Sequence, residues 1–128
     1  MERNIGSWFE IYVDDMDRAK KFYEMVFELE LSELPMPEGF GDMQMLAFPM
    51  KEGDAPGASG ALVKMAGYGA AVGGTIIYMG CEDCANEENR VAPAGGVVFK
   101  TKESIGEYGF ISLINDPEGN IVGLHSMK

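Results

Sequence analysis

The sequence is poor in the residues that most often build metal and redox sites. It has one histidine and two cysteines among 128 residues. Cys81 and Cys84 are too few for a disulfide scaffold, so a reduced, cytoplasmic setting is expected. No apolar run reaches the ~18 residues of a membrane span, and the amino terminus shows no signal-peptide core. The sequence therefore predicts a cytoplasmic protein without a membrane partner.

Positive charge is also scarce. Ten Lys and Arg stand against 21 Asp and Glu, which gives a net charge of −11. Such a field repels phosphate backbones and anionic membranes, so nucleic acid is not an expected partner. Apolar residues make up 46% of the chain, which is ordinary for a globular protein. The length suits one domain of about 100–150 residues.

The order of predicted elements occurs twice along the chain. The first unit shows a strand over 7–13, a helix over 16–27 capped by Asp15, and strands over 29–34, 44–50 and 60–65. The second shows a strand over 75–79, a helix over 84–92 capped by Asp83, and strands over 97–99, 109–115 and 120–125. An offset of 68 aligns most of the two units, and an offset of 60 aligns their last strands.

The pattern predicts an α+β fold of two tandem βαβββ modules in a single domain. Neither module is large enough to bury its own sheet and helix alone. The boundaries lie at about 1–66 and 74–128, and the glycine-rich segment 67–74 joins them.

Several runs of residues resemble the vicinal oxygen chelate superfamily, which includes glyoxalase I, bleomycin resistance proteins and extradiol dioxygenases. They are the stretch from Phe9 to Tyr23 and the turn from Asn115 to Asn120. The segments from Ile105 to Gly109 and from Gly123 to Ser126 look like its uncharacterised glyoxalase-related branch. These motifs are specific for a fold and say little about a reaction.

The resemblance implies a curved, half-open barrel that binds its ligand on the concave face, and a homodimer. Metal-using members place one ligand on the first and last strand of each module. Carried over by register, these positions are Trp8, Val63, Ile76 and Gly123. None has a side chain that can coordinate a divalent cation, so neither a metal nor another cofactor is expected.

Strand alternation then predicts which side chains share the concave face. If Trp8 faces inward, Glu10 and Tyr12 do as well, and the same rule adds Tyr78 and His125. Trp8 and Met65 would line this cup as ligand-binding walls, and Gly123 would leave room in it.

Catalysis, if there is any, would be acid–base work by Glu10 and His125 with Tyr78 assisting. A desolvated Glu10 would have a raised pKa. Simpler interpretations stay open: Glu10 pairs with a tyrosine hydroxyl or a backbone amide, and His125 makes a structural hydrogen bond. Tyr12 is a candidate ligand contact, although half-buried strand tyrosines are common.

Three further features bear on function. The C-x-x-C from Cys81 to Cys84 is a weak redox or metal signal, since a helix N-terminus can lower a thiol pKa. Glu88 stands where the resemblance expects a core leucine, so the second helix is expected to face a partner or solvent. Methionines cluster in the first module and suggest a soft core, or alternatively a plastic ligand pocket or dimer seam: Met36, Met43, Met45, Met50 and Met65.

Three hypotheses about function follow. The first is a metal-free protein that binds a small, partly apolar molecule in the cup, with possible acid–base chemistry. The second is a metal-dependent lyase or isomerase related to lactoylglutathione lyase. The third is a drug or metabolite sequestration protein, whose cationic ligands would suit the net charge of −11.

Overall fold

The chain forms two consecutive units with the same element order, βαβββ. The computed structural model describes residues 7–35, 42–51, 55–67, 69–70 and 76–128. The first unit contains β1 (Phe9–Tyr12), α1 (Met16–Phe27), β2 (Ser32–Glu33), β3 (Met43–Ala47) and β4 (Gly60–Met65). The second contains β5 (Ile77–Gly80), α2 (Cys84–Val91), β6 (Val97–Ser104), a 3-10 turn (Gly106–Tyr108), β7 (Phe110–Asn115) and β8 (Ile121–Ser126). Met36, Thr75 and most of the predicted joint over 67–74 lie outside the described residues.

Each unit folds into one four-stranded sheet. Sheet A has the order β1-β4-β3-β2 and sheet B has the order β5-β8-β7-β6. The first strand of each sheet pairs in parallel with the last, and the other pairs are antiparallel. Met45 pairs with Val63 in sheet A and Leu113 with Gly123 in sheet B, as the offsets of 68 and 60 predict. The α+β fold of two repeated units is therefore confirmed.

Both helices begin where the sequence predicts. The Asp15 carboxylate accepts a hydrogen bond from the Arg18 backbone N–H, and Asp83 does the same for Ala85, so each satisfies one of the free donors of a helix start. In α1, the side chains of Ala19, Phe22, Tyr23 and Val26 are fully buried.

A single hydrophobic core runs between the two units. It includes Ile11 and Leu62 of sheet A, Phe22 of α1, and Val122 and Leu124 of sheet B. Side chains alternate across a strand, so the residues between these positions point away from the core. We call that side of each sheet its open face.

Polar contacts also join the units, at the predicted turn between β7 and β8. Asp116 is buried and accepts a hydrogen bond from the Tyr23 hydroxyl at 2.8 Å. Glu118 accepts hydrogen bonds from the backbone N–H groups of Asp14 and Asp15 and pairs with Arg18 at 2.8 Å. The turn is thus bonded to the start of α1.

Two strands differ in length from the prediction. The segment 29–34 pairs with β3 only at Ser32 and Glu33. Its start is held by α1 instead, because the Glu24 carboxylate accepts a hydrogen bond from the Leu31 backbone N–H at 2.9 Å. The strand predicted over 97–99 continues to Ser104 as β6, with two register shifts against β7.

The expectation that α2 faces a partner or solvent is wrong. This helix packs on β6, β7 and β8. Glu88 is half-buried, and its Oε1 atom accepts hydrogen bonds from the Lys102 backbone N–H at 2.6 Å and from the Ser112 hydroxyl at 2.9 Å. A carboxylate therefore fastens the helix to the sheet at the position where a core leucine was expected.

The predicted soft methionine core is also wrong for the described members of the cluster. Met43, Met45 and Met65 are half-buried on the open face of sheet A, and Met50 is exposed. All four lie outside the buried core. Their placement leaves a pocket or an interface as the interpretation.

Among the described residues, no helix is long and apolar enough to cross a membrane.

Candidate functional site

A carboxylate and two aromatic side chains form a hydrogen-bonded group on the open face of sheet A. The Trp8 indole donates from Nε1 to Glu10 Oε2 at 3.2 Å, and the Tyr12 hydroxyl donates to Glu10 Oε1 at 2.9 Å. Strand alternation predicts this shared face correctly. Of the two interpretations that the sequence left open for Glu10, desolvation does not hold, because Glu10 is exposed. The pairing of Glu10 with a tyrosine hydroxyl, which the sequence left open, is confirmed.

On the open face of sheet B, Tyr78 lies against Gly123. A Cβ atom built on Gly123 would clash with the Cδ1 and Cε1 atoms of Tyr78. The ring therefore occupies the space that any larger residue would fill. Tyr78 remains 48% exposed, so one side of the ring is free to contact a ligand.

His125 is half-buried on the same face and is fixed by the preceding 3-10 turn. Its Nε2 atom lies 2.7 Å from the backbone oxygen of Tyr108. A carbonyl oxygen only accepts, so Nε2 carries the proton and Nδ1 is the acceptor of the neutral ring. The structural hydrogen bond that the sequence left open for His125 is thus present. Tyr108 is the partner that sequence reasoning missed, although the resemblance had singled out its loop.

A cleft of about 790 Å³ lies between the two units, with residues of both in its lining. Most of its lining is apolar or aromatic, and it includes Trp8, Phe27, Leu29, Met50, Tyr78 and Met79. Trp8 and Tyr78, from different sheets, thus line one cavity. Sequence reasoning did not find Phe27 and Leu29, since a helix stripe and a short apolar run give no sign of a cavity.

The other predicted site residues are more widely spread. Met65 lines a separate cleft of about 760 Å³ together with Val13 and Lys64. Glu10 and His125 belong to different sheets. Among the described residues, no hydrogen bond or ion pair connects these two side chains.

The Cys81 thiol of the C-x-x-C motif is not activated in this structure. Burial raises the pKa of the Cys81 thiol to about 12, and the nearby Glu87 carboxylate adds to the effect. Cys84 is fully buried at the start of α2. The predicted lowering of the thiol pKa by the helix N-terminus is therefore wrong for Cys81.

Comparisons with known proteins place this geometry in a family. Residues 7–45 match the family described as bleomycin resistance protein-like N-terminal. A putative glyoxylase, CFP32 from Mycobacterium bovis, is 31% identical over 121 residues, which are 92% of this chain and 44% of that protein. The chain belongs to the vicinal oxygen chelate superfamily. It spans less than half the length of the curated relatives it matches.

Solved structures share the superfamily fold over nearly the whole chain. TnmS3, an antibiotic binding protein from Streptomyces sp. CB03234, is 22% identical with a TM-score of 0.69, and the match covers 98% of both chains. Glyoxalase I from Zea mays is 20% identical with a TM-score of 0.69, and the match covers 94% of this chain and 45% of that one. These identities establish the fold alone.

The positions that the superfamily resemblance assigns to metal ligands do not fit a metal here. Val63 is a fully buried valine, Gly123 lies under the Tyr78 ring, and Trp8 and Ile76 present carbon and indole. A divalent cation requires imidazole nitrogen, thiolate or oxygen ligands. Within the part of the chain that the structure describes, no three His, Cys, Asp or Glu residues come together as a possible metal site.

Proposed function

We propose that this protein binds a small, partly apolar molecule in the cleft between Trp8 and Tyr78, without a resident metal. The observation that carries the proposal is the cleft itself, with its volume of about 790 Å³ and its aromatic and aliphatic lining from both units. Ligand pockets commonly measure about 300–1,000 Å³ and are mostly apolar with a few polar groups. The Tyr78 hydroxyl and Lys51 in the lining, and the Glu10 carboxylate bonded to Trp8, are polar groups available for orientation.

Gly80 offers a direct test of the cleft. It lines the cleft, and a Cβ atom built on it meets no other atom within 4 Å. Gly80→Phe should therefore fill the cavity without disturbing the fold, while Gly80→Ala leaves it open. Titration with Nile red, a neutral dye that brightens in apolar surroundings, should show about tenfold weaker binding to the phenylalanine variant. The alanine control should bind like the wild type. Equal binding to both variants would reject this cleft as the site.

Sequestration is the form of binding that we favour. The fold neighbour TnmS3 is named an antibiotic binding protein, which is the kind of role that sequestration would give this chain. Acid–base chemistry by Glu10, His125 and Tyr78 stays a second proposal. It requires Glu10 and His125 to act on one ligand from two sheets, with His125 using its Nδ1 atom.

A metal-dependent lyase or isomerase related to lactoylglutathione lyase is the alternative, and the 31% identical putative glyoxylase favours it. Elemental analysis of the purified protein separates the two proposals. We expect well under one equivalent of any divalent metal. One equivalent, with isomerisation of the methylglyoxal–glutathione hemithioacetal, would establish the alternative.

We further propose a cytoplasmic homodimer. Both cysteines are free thiols, which suits a reducing compartment. Val97, Phe99 and Tyr108 are all more than half exposed, and exposed apolar groups of this kind are typical of protein interfaces. Light scattering on the eluting protein would measure the assembly.

A further inference from the structure

We infer that Glu10 recognises the charge of an organic monocation whose apolar body occupies the cleft. This inference rests on the proposed binding function and adds the chemical class of the ligand. It assigns the charged head group, a protonated amine or guanidinium, to the carboxylate between Trp8 and Tyr12. It assigns the hydrocarbon part of the ligand to the apolar cleft, of which Trp8 is a lining residue.

Two hydrogen bonds fix the geometry of the Glu10 carboxylate. Each oxygen of Glu10 accepts one hydrogen bond, from Trp8 at 3.2 Å and from Tyr12 at 2.9 Å. These bonds hold a side chain that would otherwise sample many rotamers on an exposed strand. Each oxygen still has a lone pair available, since a carboxylate offers about four acceptor positions. A cation can therefore bind without breaking either bond.

The charge of Glu10 also favours a cation as its partner. The two groups that hold Glu10 are neutral donors, so its negative charge is not compensated by them. Among the described residues, no lysine or arginine forms an ion pair with Glu10. Glu118 shows the contrast, because its hydrogen bonds come together with the Arg18 guanidinium. Hydrogen bonds to a charged group are about twice as strong as neutral ones, so a cation bound at Glu10 would form a strong, charge-assisted hydrogen bond.

Trp8 connects the Glu10 carboxylate to the cleft. Trp8 takes part in both, since its Nε1 atom binds Glu10 while the residue lines the cavity with Tyr78 and Met79. Aromatic rings beside a carboxylate favour organic cations, because the ring faces attract positive charge. An amphiphilic cation could thus place its charged head group at Glu10 and its apolar body in the cleft that Trp8 lines.

The net negative charge of the whole molecule also favours a cationic ligand. A net charge of −11 raises the local concentration of cations and speeds their encounter. Lys51 also lines the cleft and would favour an anion instead. The test therefore includes an anionic ligand of the same shape.

Three compounds with one hydrocarbon body separate charge from apolar binding. They are 1-adamantanemethylamine, 1-adamantanemethanol and 1-adamantanecarboxylate, which are cationic, neutral and anionic at pH 7. Trp8 is the only tryptophan, so its fluorescence reports on the site directly. We expect the amine to bind the wild type about tenfold more tightly than the alcohol, as a charge-assisted hydrogen bond would give. The carboxylate should bind most weakly.

Glu10→Gln keeps the size of the side chain and removes its charge. In this variant the preference for the amine over the alcohol should fall to about twofold or less, with the alcohol affinity unchanged. Glu33→Gln makes the same charge change at an exposed glutamate of β2 and should leave the preference intact. Thermal melts would confirm that both variants are folded.

The possible outcomes are distinct. Equal binding of amine and alcohol to the wild type overturns the cation assignment and leaves the proposed binding function standing. Tighter binding of the carboxylate assigns the site to anions through Lys51 and also overturns it. A preference lost equally in both variants attributes the effect to net charge and not to Glu10. Failure of all three compounds, together with failure of Nile red, overturns the inference and the binding function together.

Discussion

Gly123 and Tyr78 show how one missing side chain shapes the candidate site. The ring of Tyr78 fills the volume in which a Cβ atom of residue 123 would stand, in contact with its Cδ1 atom. The clash would involve a half-exposed side chain and not the backbone, so Tyr78 can move away into solvent. A substitution at Gly123 should consequently change the wall of the cleft more than the stability of the fold.

Gly123→Ala is expected to displace the Tyr78 ring and to weaken Nile red binding about as much as Tyr78→Ala does. Its cost in unfolding free energy should stay below about 1 kcal/mol, since the displaced ring loses only part of its burial. The double variant should bind no more weakly than either single variant, because both act through one ring. Fully additive losses would show that Gly123 affects the site by another route.

At the scale of elements, α2 is joined to its sheet by a carboxylate. Glu88 Oε1 accepts from the backbone of β6 and from the Ser112 hydroxyl on β7. Asp83, at the start of the same helix, pairs with Lys102 of β6 at 2.9 Å, and this partner lowers the pKa of Asp83. A short helix with few buried side chains is thus held at two points by polar contacts.

Glu88→Leu tests whether this position accepts the apolar residue that the superfamily pattern suggests. The variant leaves the Lys102 backbone N–H without its acceptor, and we expect a loss of about 1–3 kcal/mol in unfolding free energy. Glu88→Gln keeps an acceptor oxygen and should lose about half as much or less. Urea unfolding at pH 7 measures both. A leucine variant more stable than the wild type would contradict the role assigned to the carboxylate.

The helices and the shared strand faces could be predicted from the sequence because they depend on neighbours along the chain. The stripe of α1 and the caps at Asp15 and Asp83 follow from spacing alone, and alternation places Glu10 beside Trp8 and Tyr12. The role of Glu88 could not be predicted, since its partner Lys102 is 14 residues away. The exposure of Glu10 could not be predicted either, because alternation gives the face of a residue and not its depth.

The cleft is a property of the whole molecule, and it could not be predicted from the sequence because it depends on residues that are far apart along the chain. Phe27 ends a helix of the first unit and Tyr78 lies in the first strand of the second, and only the packing of the two units makes them walls of one cavity. The contacts that fix this packing are therefore contacts on which the candidate site depends. Glu118 supplies the most concentrated set of them, and its side chain is completely enclosed.

Loss of the Glu118 charge should loosen the two units in a pH-dependent way. Burial alone would raise the pKa of Glu118, but the backbone N–H groups of Asp14 and Asp15 and the Arg18 guanidinium outweigh it and lower that pKa. A lowered pKa in the folded state means that the stabilisation is present above the ordinary glutamate pKa of about 4.3. It is lost as the pH falls through the folded-state pKa.

Glu118→Gln should accordingly reduce the unfolding free energy at pH 7 by about 1.5–3 kcal/mol, the range for hydrogen bonds to a charged group. The difference from the wild type should shrink as the pH falls from about 5 towards 2, because the wild-type carboxyl is then protonated as well. Glu30→Gln, at an exposed glutamate, should leave both the stability and its pH dependence unchanged. Arg18→Ala removes the ion pair but leaves both backbone hydrogen bonds, so it should cost less than Glu118→Gln. A difference between Glu118→Gln and the wild type that persists unchanged at pH 2 would show that packing, and not charge, makes this residue important for joining the units.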